Sequence, residues 1–404
     1  MKRSTILIVL AAGCTAALPG EASEAAAAIL EDATVSLGFR YRYEHVDDDA
    51  FENNANASTL RSTLSLASGS YRGASFLVEV EDIREIIADD FDAGFGNTPG
   101  RSGFPLVPDP EGTEINQAYV SYRPLTALEV RLGRQRVNLD NQRFVGGVGW
   151  RQNEQTYDAL SATYEGARAR LFYAYVDNVN RVFGEDVPAG DHRQDGTHLV
   201  NLTAEVGRFG RLGAYHYAID NDDAPALSTR TTGARLTGSR ELTELTFAHQ
   251  LEYAWQSDLA GNPASYRAHY WHVSGSATVA DLTVSLGWEV LTGDRNDPGE
   301  AFRTPFATLH AFNGWADQFL TTPDAGLDDR YLALSFESGP WTFEAAAHRF
   351  EAEDGDADFG NEIDLRIGRS LGERIQVDAF AAAFDGDGVF RDVTKLWLMV
   401  TARL

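Results

Sequence analysis

The sequence has almost no cysteine and almost no lysine. Cys14 is the one cysteine, and Lys2 and Lys395 are the lysines among 34 basic residues. An exported chain that gains nothing from disulfides must take its stability from other sources, such as extensive backbone pairing. Arginine supplies nearly all of the positive charge, and its planar guanidinium suits carboxylate ligands. The arginine bias therefore reflects either codon composition or a path for an acidic ligand.

Net positive charge is missing as well. The 404-residue chain has 60 acidic against 34 basic residues, a formal charge of −26. Nucleic-acid binding requires a basic face that neutralises phosphates, so we predict no nucleic-acid partner. Beyond the N-terminus, no apolar run approaches the ~20 residues of a transmembrane helix. If the chain spans a membrane it must therefore do so as a closed barrel, in which every backbone polar group has a partner.

The first 28 residues predict a secretory signal peptide. Lys2 and Arg3 supply the positive start, residues 5–12 form the apolar segment, and small residues follow. We expect cleavage at about residues 22–28, which leaves 29–404 as a single mature domain. The alternative is lipidation of Cys14, but Leu10 stands one position too early for a lipoprotein processing box.

Alternation with a period of two runs through the mature chain. In residues 34–44, TVSLGFRYRYE, apolar side chains at odd positions face polar ones at even positions, and residues 281–291 and 361–369 repeat this arrangement. Such alternation indicates strands rather than helices. Eighteen segments of this kind occur, approximately at 33–46, 57–68, 72–86, 113–123, 127–137, 156–165, 167–179, 196–206, 210–219, 228–237, 242–257, 265–277, 281–292, 330–338, 340–352, 360–369, 373–384 and 391–404.

The connections between these segments alternate between short turns and longer acidic loops. Short turns on one side, long loops on the other and an even strand number are typical of an outer-membrane β-barrel. A β-sandwich or propeller also has many strands, but it needs an apolar core, whereas one face of nearly every segment here is polar. Aromatic residues near segment ends fit the girdles of a barrel: Tyr122, Tyr164, Tyr253, Trp255, Trp288, Trp341 and Trp397. We therefore predict a transmembrane antiparallel barrel of about 18 strands.

Several stretches resemble the alginate-export family of bacterial outer-membrane porins. They are NANASTLRSTLSL (54–66), DPEGTEINQAYVSYR (109–123), LGRQRVNLDNQRFVGGVGWRQNEQTYDA (132–159), AYVDNVNRVFG (174–184) and the ending KLWLMVTARL (395–404). The resemblance implies an eighteen-stranded barrel that conducts solutes, and the best-known relatives export alginate through an arginine-rich lumen. Those exporters carry an extended periplasmic turn that acts as a gate, whereas the turns here, including 371–374, are short. A general porin is therefore expected, and a dedicated polyuronate exporter is the alternative.

In a porin the working residues are the charges of the lumen. Alternation predicts that one set of side chains points inward: Arg40, Arg42, Arg61, Glu79, Glu81, Gln117, Tyr119, Arg131, Arg235 and Arg366, with Glu44, Glu129 and Glu289. These charges either pair across strands and keep the interior wet, or form an arginine ladder that orients anionic solutes. A carboxylate or sugar acid would find bidentate partners there.

The stretch NLDNQRFVGGVGWRQN, residues 138–153, predicts a constriction. It lies on the long-loop side, and Gly146, Gly147 and Gly149 allow unusual backbone angles that let it fold inward. The side chains expected at the constriction are Arg134, Arg136, Asn141, Gln142, Arg143, Arg151 and Gln152. The alternative is a loop packed on the rim, with its arginines paired to Asp140 and Glu154. The 293–329 loop, rich in phenylalanine, is a second candidate for folding inward.

The expected partners follow from an outer-membrane location in a Gram-negative bacterium. They are membrane lipid and lipopolysaccharide, a hydrophilic and anionic solute, and the barrel-assembly machinery. Neither H-E-x-x-H nor G-x-S-x-G occurs, and His216, His249, His269, His272, His310 and His348 are scattered, so a barrel hydrolase is the least favoured alternative. No catalytic residue, cofactor or metal site is predicted, because the acidic stretches 353–362 and 385–392 lack the spacing of an EF-hand.

Overall fold

The computed structural model describes residue 24 and residues 27–404, so nearly all of the predicted signal peptide, Cys14 included, lies outside the described residues. Eighteen strands make up the described chain. They are β1 (Thr34–Asp48), β2 (Ala55–Ala67), β3 (Ala74–Asp90), β4 (Gly112–Leu125), β5 (Leu128–Gln135), β6 (Thr156–Glu165), β7 (Ala169–Asn180), β8 (Asp191–Glu205), β9 (Arg211–Ile219), β10 (Thr229–Leu242), β11 (Leu245–Asp258), β12 (Arg267–Val279), β13 (Leu282–Leu291), β14 (Leu327–Ser338), β15 (Trp341–Glu351), β16 (Asp358–Leu371), β17 (Ile375–Gly386) and β18 (Val393–Arg403).

The strands form one closed antiparallel barrel. Each strand pairs with its neighbours in sequence, and β1 closes the ring on β18 along the register Gly38↔Arg403 to Asp48↔Val393. Closure leaves no edge strand, because each of the eighteen strands pairs with a neighbour on both sides. The predicted fold class is confirmed. No described helix has the length and apolarity that crossing a membrane requires.

Alternation along each strand separates an apolar outward face from a polar inward face. In β16, Ile363, Leu365 and Ile367 are exposed, whereas Glu362 and Asp364 are buried. The exposed row meets lipid, which accepts apolar side chains without cost, and the buried row meets the interior. The exposed leucines, valines and isoleucines of the strands therefore form the lipid-facing surface.

Connections differ strongly between the two ends of the barrel. The turns at 68–73, 126–127, 166–168, 206–210, 243–244, 280–281, 339–340 and 372–374 are short. The outer loops are L1 (49–54), L2 (91–111), L3 (136–155), L4 (181–190), L5 (220–228), L6 (259–266), L7 (292–326), L8 (352–357) and L9 (387–392). Some strands run further into these loops than predicted: β8 begins at residue 191 rather than 196, and β14 at 327 rather than 330.

A cluster of buried aromatic residues occupies the outer half of the barrel interior. The ring of Phe144, in L3, lies 5.1 Å from that of Tyr215, 5.2 Å from Tyr270 and 5.9 Å from Phe302 of L7. Phe306, also in L7, packs on Tyr157 at 5.7 Å. A loop without apolar side chains would stay in water, but these rings gain free energy by leaving it. The hydrophobic core of this barrel therefore lies inside it and consists partly of loops.

Candidate permeation site

L3 enters the barrel and lies against the inward face of β1. Arg40 donates to the carbonyl of Gly149 at 2.7 Å, and Arg42 donates to the carbonyl of Trp150 at 2.6 Å. The Arg42 guanidinium also stacks on the Trp150 ring, 4.4 Å from its centroid. Two inward arginines of the first strand thus hold the loop by its backbone. They serve as loop supports, because both are buried.

Gln152 fixes the same part of L3. Its side chain is fully buried, accepts a hydrogen bond from Arg40 at 2.9 Å and donates to the Thr59 hydroxyl at 2.9 Å. The inward Arg61 donates to the Gln152 carbonyl at 3.2 Å and lies 3.4 Å from the Glu154 carboxylate. A buried amide that lost these partners would leave unpaired polar groups, at about 1–3 kcal/mol each. Gln152 is therefore a structural residue of the constriction.

Arg143 anchors the tip of L3 to the far wall. Its Nε lies 2.8 Å from the Glu289 carboxylate on β13, and it donates to the Asn313 side chain of L7 at 2.9 Å. Glu289 also accepts hydrogen bonds from Tyr270 at 2.7 Å and from Asn313 at 2.7 Å. Burial alone would lower the pKa of Arg143, but the nearby Glu289 carboxylate raises it above the ordinary arginine value. The charge is thus retained inside the cluster.

Arg151 belongs to a second buried ion cluster. It lies 3.2 Å from Glu44 of β1 and 3.0 Å from Asp317 of L7, and Asp317 in turn lies 2.9 Å from Lys395 of β18. Burial would raise the pKa of Asp317, but His310, Lys395 and Arg151 hold it well below its usual range. Cations from two elements and an anion from L7 therefore fix both loops against the β1–β18 wall.

L3 and L7 are also joined directly by backbone. Val145 and Phe306 form an isolated parallel β-bridge, in which the Gly146 amide donates to the Phe306 carbonyl at 2.8 Å. The Thr308 amide donates to the Gln142 carbonyl at 3.0 Å, and the two side chains bond at 2.7 Å. Gln142 takes a positive φ of 66° to make this turn. The two loops thus form one unit across the interior.

The structure differs from the sequence-based expectation for the arginines of this region. Arg143 and Arg151 were expected to reach the bore, but they are 2% and 5% exposed and paired with Glu289, Glu44 and Asp317. The alternative partners, Asp140 and Glu154, are also wrong for them. The reason is that inward carboxylates of distant strands lie within reach once L3 has crossed the interior.

Arg134 is a second difference. It shares the outward face of β5 with the exposed Leu132, and it forms ion pairs with Asp158 at 2.9 Å and donates to the Ile115 carbonyl at 3.0 Å. Side chains three apart in a strand point to opposite faces, so Arg134 cannot join the inward Arg131. Asn141 also has a local role, since its side chain accepts from the Arg143 amide at 3.4 Å.

The arginines that do meet water inside the barrel are a different set. The side chains of Arg131, Arg136 and Arg366 are 35%, 35% and 26% exposed. Arg131 is 2.9 Å from Glu129, whereas Arg366 lies between two carboxylates, 2.8 Å from Asp378 and 3.2 Å from Glu344. A guanidinium has five N–H donors, so the donors that these carboxylates leave unused can meet a passing solute.

Some of the remaining inward residues surround Arg136, and others lie elsewhere along the barrel wall. Arg136 lies 2.7 Å from Glu154 through its Nε and 3.3 Å from Glu79, which also accepts from Gln117 at 3.0 Å. Burial would raise the pKa of Glu154, but Arg136 and Arg61 lower it below the ordinary value. The other predicted lumen residues lie nearby or across the barrel: Glu81 is buried, Tyr119 lies under Arg131 at 5.0 Å, and Arg235 bonds Gln250 at 2.6 Å.

L7 contacts the inward faces of β16 and β17, and local sequence patterns do not predict these contacts. The Ala316 amide donates to Glu362 on β16 at 2.7 Å, and the Trp315 ring packs on Phe380 of β17 at 5.6 Å. Gly314 has a φ of 85° and lies against Glu362, where a Cβ atom would overlap the carboxylate. Strand alternation predicts that Glu362 points inward. Its contact with Ala316, 46 residues away, has no signature in the local sequence.

The histidines singled out from the sequence have separate hydrogen-bond partners in the described structure. His272 lies 2.9 Å from the Tyr331 hydroxyl, His348 2.9 Å from Asp329 and His310 2.7 Å from Asp317. His216 and His269 lie on the outward face, bonded to Thr232 and Tyr253. Among the described residues, no set of three or more His, Cys, Asp or Glu side chains is arranged to hold a metal ion.

The barrel is similar to solved outer-membrane porins. It matches Pseudomonas aeruginosa OpdK, crystallised with vanillate, with a TM-score of 0.71 at 14% identity over 93% of this chain and 99% of that one. Acinetobacter baumannii OccAB2 matches with a TM-score of 0.73 at 16% identity, and P. aeruginosa OccK9 (OpdG) with 0.73 at 14%, each with 93% and 99% coverage. No curated protein sequence matches the chain significantly.

A closed barrel of eighteen strands with an apolar outer surface, a polar interior and long outer loops defines an outer-membrane channel protein of a Gram-negative bacterium. The sequence profile "Alginate export" matches residues 32–312. The chain therefore belongs to the alginate export family, as the resemblance of its sequence motifs predicted.

Proposed function

We propose that this channel passes small hydrophilic anions, such as sugar acids, along the arginines that line its interior beside L3 and L7. The observation that carries the proposal is the set of partly exposed guanidinium groups of Arg131, Arg136 and Arg366. The arginines that anchor L3 and L7 from within, Arg40, Arg42, Arg143 and Arg151, are buried, whereas these three are open enough for a solute in the bore to meet them closely.

The pairing of these arginines suits transport rather than tight binding. A carboxylate solute can form bidentate hydrogen bonds with a guanidinium, which are charge-assisted and directional. Glu129, Glu154 and Asp378 compete for the same donors and keep the side chains in position. Permeation requires attraction strong enough for entry and weak enough for release, and a shared donor set satisfies both conditions.

The size of the solute follows from the loops. L3 and L7 fill the outer half of the interior with buried side chains, and the periplasmic turns are short. Such a bore favours a small solute over a folded or bulky polymer. The similar barrel of OpdK was crystallised with vanillate, a small carboxylate, which supports the same solute class here.

The overall negative charge does not oppose this function, because much of it lies at the outer end. Asp89 and Asp90 pair with Arg101, and Asp222 and Asp223 pair with Arg193, all at or in outer loops. Exposed charges more than about 8–10 Å from an ion are largely screened at physiological salt. Charges within the bore therefore dominate selectivity.

Reversal potentials in planar bilayers under a salt gradient test the proposal. One charge 10 Å from an ion in water contributes about 0.4 kcal/mol, about a twofold change in local ion concentration. Loss of one charge lowers anions and raises cations by this factor, which changes their ratio about fourfold, so the double variant Arg131→Gln, Arg366→Gln should lower the anion-to-cation permeability ratio by up to about sixteenfold. The outward Arg369→Gln is the control, which should leave the ratio unchanged. Cation selectivity of the wild-type channel would refute the proposal.

Export of a polyuronate is the second candidate function, and family membership is what favours it. It predicts that deletion of the gene stops secretion of an acidic exopolysaccharide. Normal secretion in the deletion strain, together with reduced uptake of a small sugar acid, would instead support the small-solute channel. A barrel hydrolase would require turnover of an ester or lipid that one histidine substitution abolishes.

A further inference from the structure

Two arginines on the outward face have no hydrogen-bond or ion-pair partner among the described residues. Arg230 is the second residue of β10 and Arg267 the first of β12, so both lie at the outer rim, next to L5 and L6. Both are exposed, and neither side chain forms an ion pair or hydrogen bond with any residue that the structure describes. In an acidic chain whose arginines mostly pair with carboxylates, two free guanidinium groups at one place indicate an external anion.

The strand register brings these arginines together. Arg230 lies opposite Ser257 of β11, and Ser257 lies opposite Arg267, so the three residues form one row across neighbouring strands. Strands are about 4.8 Å apart, which places the two arginine Cα atoms about 10 Å from each other. Long flexible side chains at this separation can contact one ligand from two sides.

Aromatic side chains lie directly below the row, toward the membrane centre. Trp255 and Tyr253 of β11 are 49% and 47% exposed, and His269 of β12, opposite Trp255, bonds the Tyr253 hydroxyl at 2.8 Å. These residues and both arginines line an open groove of about 770 Å³. Aromatic rings at this depth lie where lipid head groups meet acyl chains.

A second arginine pair on the same rim shows the contrast. Arg330 of β14 lies 3.0 Å from Asp328, and Arg349 of β15 lies 2.8 Å from Glu351 and from Asp358. The side chains of these outward arginines are 54% and 51% exposed, yet their charges are neutralised within the protein. Exposure at the rim therefore does not by itself leave an arginine unpaired.

We propose that the groove between β10 and β12 binds the phosphorylated sugar head group of a lipopolysaccharide molecule in the outer leaflet. Arg230 and Arg267 would bind phosphate oxygens through bidentate hydrogen bonds, and Ser257 lies between them. Trp255 and Tyr253 would contact the sugar and the first part of the acyl chains. The site lies on the outside of the barrel, so it is independent of the permeation path.

Two carboxylates, Asp258 and Glu300, also line the groove. Asp258 accepts a hydrogen bond from the Tyr266 amide at 3.0 Å. A phosphate could reach these carboxylates only through a bridging divalent cation, which is a different mode of binding. Chelation of divalent ions separates the two modes, because direct binding to arginine needs no metal.

The test measures binding of diphosphoryl lipid A to the purified full-length barrel in zwitterionic detergent with EDTA, by native mass spectrometry and tryptophan fluorescence. The double variant Arg230→Gln, Arg267→Gln is compared with Arg330→Gln, Arg349→Gln. We expect the first pair to weaken binding at least tenfold and the second pair to change it less than twofold. Dephosphorylated lipid A should bind the wild type and the first variant equally. Resistance of the unheated barrel to SDS shows that each variant is folded.

Three outcomes would overturn the proposal. Equal weakening by both double variants would show that any rim charge suffices. Loss of wild-type binding in EDTA would assign the lipid to a cation held by Asp258 and Glu300. Saturable binding of inorganic phosphate at the groove, without preference for the lipid, would make it a site for a free anion.

Discussion

Replacement of Arg143 by methionine should release the tip of L3 from the far wall. Methionine keeps much of the apolar stem but removes the charged guanidinium, which lies over the rings of Tyr270 and Phe312. Glu289 then remains as a buried carboxylate with hydrogen bonds from Tyr270 and Asn313 only. Breaking a buried ion pair in this way costs about 3–5 kcal/mol. We take the lower end, since two hydrogen bonds to Glu289 survive.

About 3 kcal/mol corresponds to roughly a hundredfold increase in the population of the opened loop. Hydrogen exchange followed by mass spectrometry measures this opening at the two backbone bonds that join L3 to L7. These are donated by the amides of Gly146 and Thr308. Their exchange should accelerate by about that factor, while amides of the barrel strands are unaffected, because strand pairing does not depend on the loop.

A compensating variant separates loss of charge from loss of packing. The double replacement Arg143→Met, Glu289→Gln removes both charges, keeps the amide in place of the carboxylate and should restore protection to within about 1 kcal/mol of the wild type. Arg193→Met, at an exposed ion pair of the rim, is the control and should leave the exchange of L3 unchanged. Unchanged exchange at Gly146 and Thr308 in Arg143→Met would refute the assignment of Arg143 as the anchor.

Further predictions concern L7 and its contacts. Gly314→Ala should displace L7 and increase current fluctuations in single-channel recordings, because its Cβ atom would overlap Glu362, whereas Gly372→Ala, also at positive φ but in open space, should not. Lys395, buried beside Asp317, should resist an amine-reactive reagent in the wild type and react readily in Arg151→Met; equal rates would show that the cluster does not close over it. The pKa values of Asp317 and Glu154 are lowered in the folded protein. Their contribution to stability is therefore complete above the ordinary carboxylate pKa of about 4, and it is lost as the pH falls through the pKa values of the folded state. The protection of the loop amides, relative to the intrinsic exchange rate at each pH, should thus be constant from about pH 8 to 5 and fall only in stronger acid. A fall in protection near pH 6.5 would indicate control by a histidine instead.

The barrel was predictable from the sequence because its determinants are local. Period-two alternation fixes which side chains of a strand face lipid, and loop lengths fix which end is outside. The same alternation also identifies Arg131 as inward and Arg134 as outward, although sequence analysis placed Arg134 in the constriction. Gly146, Gly147 and Gly149 were expected to supply unusual backbone angles, but none has a positive φ, and Asp140, Gln142 and Val148 take this conformation instead. Gly146 allows close packing, because a Cβ atom there would overlap the Thr308 hydroxyl.

The partners of the loop arginines could not be predicted in the same way. Arg143 meets Glu289, which is 146 residues away, and Arg151 meets Glu44 and Asp317. Strand alternation places several carboxylates on the inward face, and any of them could pair with these arginines. Only the path of the loop across the interior determines which ones do. Consequently the structure is needed to tell the arginines that stay accessible to solute, such as Arg136 and Arg366, from those that are buried in ion pairs.

The cluster around Arg151 has a consequence for closure of the cylinder itself. Glu44 is on β1 and Lys395 on β18, and these two strands meet where the last part of the chain joins the first. Arg151 and Asp317 connect those residues through the interior, so L3 and L7 link β1 to β18 in addition to the backbone pairing of these strands. A sideways opening between β1 and β18 would have to break buried ion pairs as well as backbone bonds. L3 and L7, which narrow the channel, therefore also stabilise the closure of the barrel between β1 and β18.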